Sequence, residues 1–314
     1  MNEAKAARYQ RLRRRADVVS AGAGVAVLAA AVLTPAGHWL AGWVSRSITL
    51  APGPLRALAE VVAFVGLLAA ALEAIALPIV VSLGLSLDRR FKRGERSVGS
   101  LVSAQIHTAT AGVVLTVVAA VVIHVSARIA GAWWWLLAGA VLSALLAAAV
   151  RGISTLISRS AAAGPLNDAG LSTRLAEVAT QAGVPVAGIF EWRDHGHEAH
   201  TASVTGFGTG RRVLIAPDVL REWSHDEIAV VVAHELSHHK HHDLVQALAL
   251  DALLLSSALA AADLALVALD ARPEDLLSLP WISLVGGLVW MAATPARHAL
   301  SRWQERRTAA ANAS

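Results

Sequence analysis

ALAEVVAFVGLLAAALEAIALPIVVSLGLSL, residues 57–87, is a single apolar run with Pro78 inside it. A bilayer core of about 30 Å is crossed by about 20 apolar residues in a helix, so this run alone is long enough to span. Working outward, five further stretches read as spans: 18–34, which ends before Pro35, then 101–126, 132–150, 244–269 and 276–294. Composition agrees with a membrane protein. Of the 314 residues 55% are hydrophobic and only 16% are charged, and the mean hydropathy is +0.54. A soluble domain carries about a quarter charged residues.

The net charge of +4 is mostly arginine. These arginines flank the apolar runs, which marks topology rather than a nucleic-acid surface. Arg8, Arg11, Arg13, Arg14 and Arg15 precede the first span, and Arg89, Arg90, Lys92, Arg93 and Arg96 follow the second. Arg151 and Arg159 follow the fourth, and Arg302, Arg306 and Arg307 follow the sixth. The alternate loops hold only Arg46 and Arg56, then Arg128, then Arg272. Both termini and the region 151–243 are therefore expected in the cytoplasm. The basic start followed by an apolar run also fits a signal peptide. No small-residue cleavage site follows it, so it reads as a first span that stays attached.

The region 151–243 is the one long polar stretch. Leu171, Leu175, Val178 and Ala179 share one face of a helix over 171–182, which Gly183 ends. Short strands are expected at 186–192, 201–207 and 213–216, divided by turn residues. The chain contains no cysteine, so any metal is held by His, Asp or Glu.

His234-Glu235-Leu236-Ser237-His238 is an H-E-x-x-H sequence. Ser224 and Glu227 form the capping box of its helix, and Ile228, Val231, Val232 and Leu236 give it an apolar face. Residues four apart lie on one helical face, so His234 and His238 can aim two imidazoles at one zinc ion. Glu235 sits beside them as general base for a zinc-activated water. A third ligand is needed. Asp251 and Asp263 lie inside an apolar span, where a carboxylate marks either function or an interhelical hydrogen bond. Asp270, Glu274 and Asp275 fall in the opposite loop. Glu305 is better placed, on a helix expected to start at Thr294 and Pro295.

These segments resemble the membrane zinc metalloprotease family of type I CAAX prenyl endopeptidases and HtpX heat-shock proteases. Leu77-Pro78 and Leu87-Asp88-Arg89-Arg90-Phe91 are similar to the family's segment after an early span. Residues 171–188 (LSTRLAEVATQAGVPVAG) are similar to its entry to the protease region, and 224–243 (SHDEIAVVVAHELSHHKHHD) to its metal helix. Ser301-Arg302-Trp303-Gln304-Glu305 is similar to an S-R-x-x-E segment whose Glu is the third zinc ligand. The resemblance thus selects Glu305.

The resemblance implies a mostly α, polytopic membrane bundle of about six spans with a small α+β, zincin-like cytoplasmic protease region. Residues 1–150 are the four-span membrane region. Residues 151–243 are the protease region with the H-E-x-x-H helix, and 244–314 bring two more spans and the third ligand. It implies one Zn2+ per chain and hydrolysis of protein or peptide substrates at the membrane surface. No nucleic-acid partner is expected.

Three departures point to an alternative, a weakly active or inactive protein that binds peptides or partners. The family's E-x-x-x-D aspartate, which orients a zinc-bound His, is replaced by Ala309. Ala202-Ser203-Val204 stands where an Asn-containing edge strand pairs with substrate. The chain stops at Ser314, soon after Glu305, where the family continues.

Other residues have blander readings. His238 and His242 form a rival pair with no Glu in the base position. His239, His241 and Lys240 read as a solvated helix end, and His195, His197 and His200 as an exposed loop. Trp133, Trp134 and Trp135 read as an interfacial anchor. His107 and His124 read as buried, hydrogen-bonded groups.

Overall fold

A computed structural model describes residues 3–91, 98–158, 163–192 and 202–312. His195, His197, His200, Lys92, Arg93, Arg96 and Arg159 lie outside those ranges, as do the side chains of Arg8 to Arg15 and of the 87–91 segment. Ten helices are present among the described residues: α1 (Glu3–Leu33), α2 (Pro35–Ser47), α3 (Pro54–Phe91), α4 (Val98–Ala130), α5 (Trp134–Ser158), α6 (Ala169–Ala182), α7 (Pro217–Glu222), α8 (His225–Lys240), α9 (Asp243–Ala268) and α10 (Ser278–Asn312). Four strands accompany them: β1 (Ala163–Pro165), β2 (Gly188–Trp192), β3 (Ala202–Thr205) and β4 (Arg212–Ile215). The chain folds as two compact units, 1–142 with 255–291, and 143–254 with 292–314.

The first unit is helical and apolar. Four stretches are long and apolar enough to cross a membrane: Pro54–Ser82, Val102–Leu156, Asp243–Ala268 and Ser278–Ala310. A fifth is Val18–Leu33 joined to Pro35–Ser47 across a bend of 74°. The stretch Val102–Leu156 has 55 residues, roughly 80 Å at a helical rise of about 1.5 Å. It therefore holds both the third and the fourth expected spans, divided by a 3-10 turn at Gly131–Trp133 with Gly131 at φ 52°. Large apolar side chains along these helices face outward. Leu115, Leu253, Leu264 and Val267 are 63–71% exposed, as lipid rather than water requires. The core of the unit gathers Val44, Val61, Phe64, Ile123, Trp134, Leu259 and Leu266.

The structure corrects three expectations. The first span does not simply end at Pro35. Thr34 caps a new helix, accepting from Ala36 N, with Pro35 in its first turn, because a proline is tolerated there. No helix starts at Thr294 and Pro295. α10 runs unbroken through Pro295, since a long apolar helix tolerates the loss of one backbone bond. The three tryptophans do not act alike. Trp133 is exposed, but Trp134 is 1% exposed and donates through Nε1 to Asp263 Oδ1 at 2.6 Å. A carboxylate buried in apolar surroundings needs such a donor.

The second unit carries a mixed sheet in the order β1-β2-β4-β3. β2 and β4 are parallel, with Gly188 opposite Arg212, and β1 and β3 pair antiparallel on the outsides. The strand β1 was not anticipated, since Ala163-Gly164-Pro165 has no alternating pattern. α6 and α8 pack with the sheet around Leu171, Leu175, Val213, Ile215, Ile228, Val232 and Leu236. Asp168 caps α6 by accepting from Leu171 N at 2.8 Å. Gly183 ends it at φ 69°, in the left-handed region that glycine enters without a Cβ clash.

Candidate metal centre

α8 begins with the expected capping box. Ser224 Oγ accepts from Glu227 N at 3.3 Å, and Glu227 Oε2 accepts from Ser224 N at 2.8 Å. These bonds hold the Glu227 carboxyl below the ordinary glutamate range. Ile228, Val232 and Leu236 are at most 1% exposed. With that face buried in the core, His234 and His238 are left half-buried on another.

Those two imidazoles meet Glu305 of α10. His234 Nε2 lies 3.2 Å from His238 Nε2 and 3.3 Å from Glu305 Oε2, and His238 Nε2 lies 3.7 Å from Glu305 Oε1. This trio is the one candidate metal group among the described residues. Zinc bonds of about 2.0–2.1 Å to the corners of a tetrahedron put those corners about 3.3 Å apart. The three separations fit that figure, and the donor types suit zinc.

Asp243, at the start of α9, decides how His238 points. Its Oδ2 lies 2.7 Å from His238 Nδ1. A carboxylate accepts, so Nδ1 carries the proton and Nε2 turns a lone pair toward Glu305 and His234. Asp243 is 6% exposed and is itself held. Arg307 pairs with its carboxylate, and Gln304 Nε2 donates to its backbone carbonyl at 3.1 Å. Three electron-rich atoms thus converge where only a proton or cation relieves their repulsion.

Glu235 is half-buried beside the trio. Burial pushes its carboxyl above the ordinary glutamate range, while His238 and His234 pull it the other way. A carboxylate with raised proton affinity is suited to taking a proton from water.

The remaining candidates separate from this group. Asp251 is paired with Arg297 at 2.9 Å, and Asp263 accepts from Trp134. Asp270, Glu274 and Asp275 belong to the first unit. The rival pair fails on geometry. α8 ends at Lys240 and His242 has φ 56°, so His238 and His242 do not share a helical face. His241 Nδ1 donates back to Ser237 O at 2.9 Å. His239 is no solvated end. Burial lowers its affinity for a proton, and Nε2 contacts the Val204 carbonyl. His124 is buried with Nδ1 on Glu274 O at 3.1 Å, as expected, but His107 is exposed. Sequence reasoning weighed Asp243 only as a third ligand. Its position five residues after His238, at a helix start, was the available signal for its orienting contact.

Two family models cover the chain. "CAAX prenyl protease N-terminal, five membrane helices" matches residues 2–158, and "Peptidase family M48" matches residues 165–313. No curated protein matches the chain by sequence. Among solved structures the chain is similar to Ste24p of S. mikatae. The identity is 17% and the TM-score 0.68, over 86% of this chain and 69% of that one. At that identity the likeness is one of fold.

Proposed function

We propose that this chain, which belongs to peptidase family M48 and carries the CAAX prenyl protease N-terminal membrane region, is a zinc-dependent endopeptidase cutting protein or peptide substrates at the membrane surface. The observation that carries this reading is the convergence of His234 Nε2, His238 Nε2 and a Glu305 oxygen within 4.8 Å of one another, next to Glu235. His234, His238 and Glu305 hold the metal. Zinc bound there supplies a Lewis acid and brings a water's pKa toward about 7. Asp243 fixes the tautomer and the ring orientation of His238. Glu235 accepts the proton of the attacking water and returns it to the departing amide nitrogen.

We assign residues 1–150 to the membrane region, 151–243 to the protease region, and 244–314 to the segment that returns with Glu305. The arginine distribution supports a cytoplasmic site with both termini on the same side. Asp243 takes up the task for which Ala309 has no carboxylate, which supports an active enzyme. A CAAX substrate is no part of the proposal.

Purified chain in detergent micelles is expected to hold about one zinc and to cleave labelled β-casein. Glu235→Gln is expected to keep the zinc and to lose at least about 100-fold in kcat. Cleavage at the wild-type rate in that variant would remove Glu235 as the base and the mechanism with it.

A further inference from the structure

The ring next to His238 faces a different neighbour, because adjacent residues on an α-helix are about 100° apart around its axis. His239 Nδ1 lies 3.3 Å from Arg211 Nε, and His239 Nε2 lies 3.0 Å from Val204 O. A guanidinium only donates. Nδ1 therefore accepts, the ring proton sits on Nε2, and Val204 O receives it. The two partners together leave one tautomer.

Each partner is anchored in turn. Val204 lies on β3, the outermost strand, which pairs with β4 alone. Its side chain is 8% exposed in the core that also holds Val232 and Leu236 of α8. Arg211 donates through Nη1 to Gly208 O at 2.9 Å, and its own carbonyl accepts from Ala187 N at 2.6 Å. The turn before β4 is tight. Gly206 has φ 93°, and a Cβ there would stand 2.7 Å from Gly210 O. His239 thus ties three things together: the helix with the two metal-binding histidines, a constrained turn, and the free edge of the sheet. Extended peptides bind proteins by adding to such edges, with backbone bonds giving affinity.

We propose that His239 is a positioning residue that holds the free edge of β3 in place beside the H-E-x-x-H helix through Arg211 and Val204, and so governs KM for an extended peptide substrate. This rests on the endopeptidase reading above. His239 touches neither metal nor substrate in this role. It sets where the substrate's backbone lies relative to the reacting centre, and a misplaced edge weakens binding before it weakens chemistry.

The test uses full-length protein in detergent micelles, with zinc content and β-casein cleavage measured for wild type, His239→Leu, His239→Gln and Arg211→Met. His239→Leu is expected to keep one zinc, to raise KM about tenfold, the scale of a buried acceptor left unpaired, and to change kcat less than about threefold. His239→Gln has both an acceptor and a donor, and is expected to restore KM to within about threefold of wild type. Arg211→Met is expected to raise KM in the same direction from outside the metal helix. An unchanged KM in His239→Leu and Arg211→Met, or a glutamine no better than leucine, overturns the proposal. Loss of zinc in His239→Leu together with an unchanged KM in Arg211→Met also overturns it. A wild-type protein that holds no zinc and cleaves nothing overturns the endopeptidase reading, and this inference with it.

Discussion

Asp243 shows what one buried carboxylate contributes to a site it does not itself complete. It accepts from His238 Nδ1 on one side and pairs with Arg307 on the other, at 6% exposure. Asp243→Asn keeps the shape but offers an amide where the ring needs an acceptor with full charge, and it leaves Arg307 without its partner. Losses of this kind cost about 10–100-fold in metal affinity or activity. Zinc titration against a competing chelator is expected to fall in that range, and wild-type affinity in Asp243→Asn would show the contact to be incidental. The paired histidines and the base were legible in the sequence because an i, i+4 spacing on a capped helix has one geometric meaning. The orienting aspartate was not. Its contact depends on a turn at His242, φ 56°, that points the next helix back toward His238. The same limit explains Trp134. Three adjacent tryptophans at a span's start look alike as sequence, but only one of them meets an aspartate 129 positions away.

Helix ends carry the predictions at the next scale. The capping box of α8 holds the Glu227 carboxyl below its ordinary range. A group with a depressed folded pKa adds stability above its unfolded pKa, and that stability is lost as pH falls through the folded value. Acidification below the usual glutamate range is therefore expected to loosen the start of α8. In Glu227→Gln, thermal unfolding is expected to lose part of this acid dependence. An identical acid profile for the two proteins would deny the cap that role. At the other break, α1 and α2 bend by 74° with Gly37 in the first turn of α2. A Cβ on Gly37 would stand 2.0 Å from Ala31 O, well inside contact distance. Gly37→Ala is expected to force the bend open and lower the midpoint of thermal unfolding by several degrees, on the order of 1–3 kcal/mol. An unchanged midpoint would show that the bend relaxes freely. The sequence marked a break at Pro35. It carried no sign that the helix resumes at a steep angle, because that angle is set by what packs behind it.

For the molecule as a whole, the proposed orientation makes a clear demand. The chain contains no cysteine, so single cysteines report topology without background. Asp270→Cys, in the loop between α9 and α10, is expected to react with a membrane-impermeant maleimide on intact cells. Trp223→Cys, just before α8, is expected to react only after permeabilisation. The reverse pattern would invert the topology. The sequence by itself determined the membrane class, the positions of the apolar runs, the H-E-x-x-H helix with its cap, and the short strands near 188–192, 202–205 and 212–215. All of these follow from local chemistry: run length against bilayer thickness, helical spacing, and a side chain satisfying its own helix end. Only the tertiary structure decided that α10 runs unbroken through Pro295, that β3 is the free edge, and that Glu305 closes on both histidines at 3.3 and 3.7 Å. It likewise decided that Asp243, Asp251 and Asp263 each answer a different partner. Those outcomes depend on contacts between segments dozens of residues apart, where burial forces each polar group to find a mate and no local pattern says which one is near.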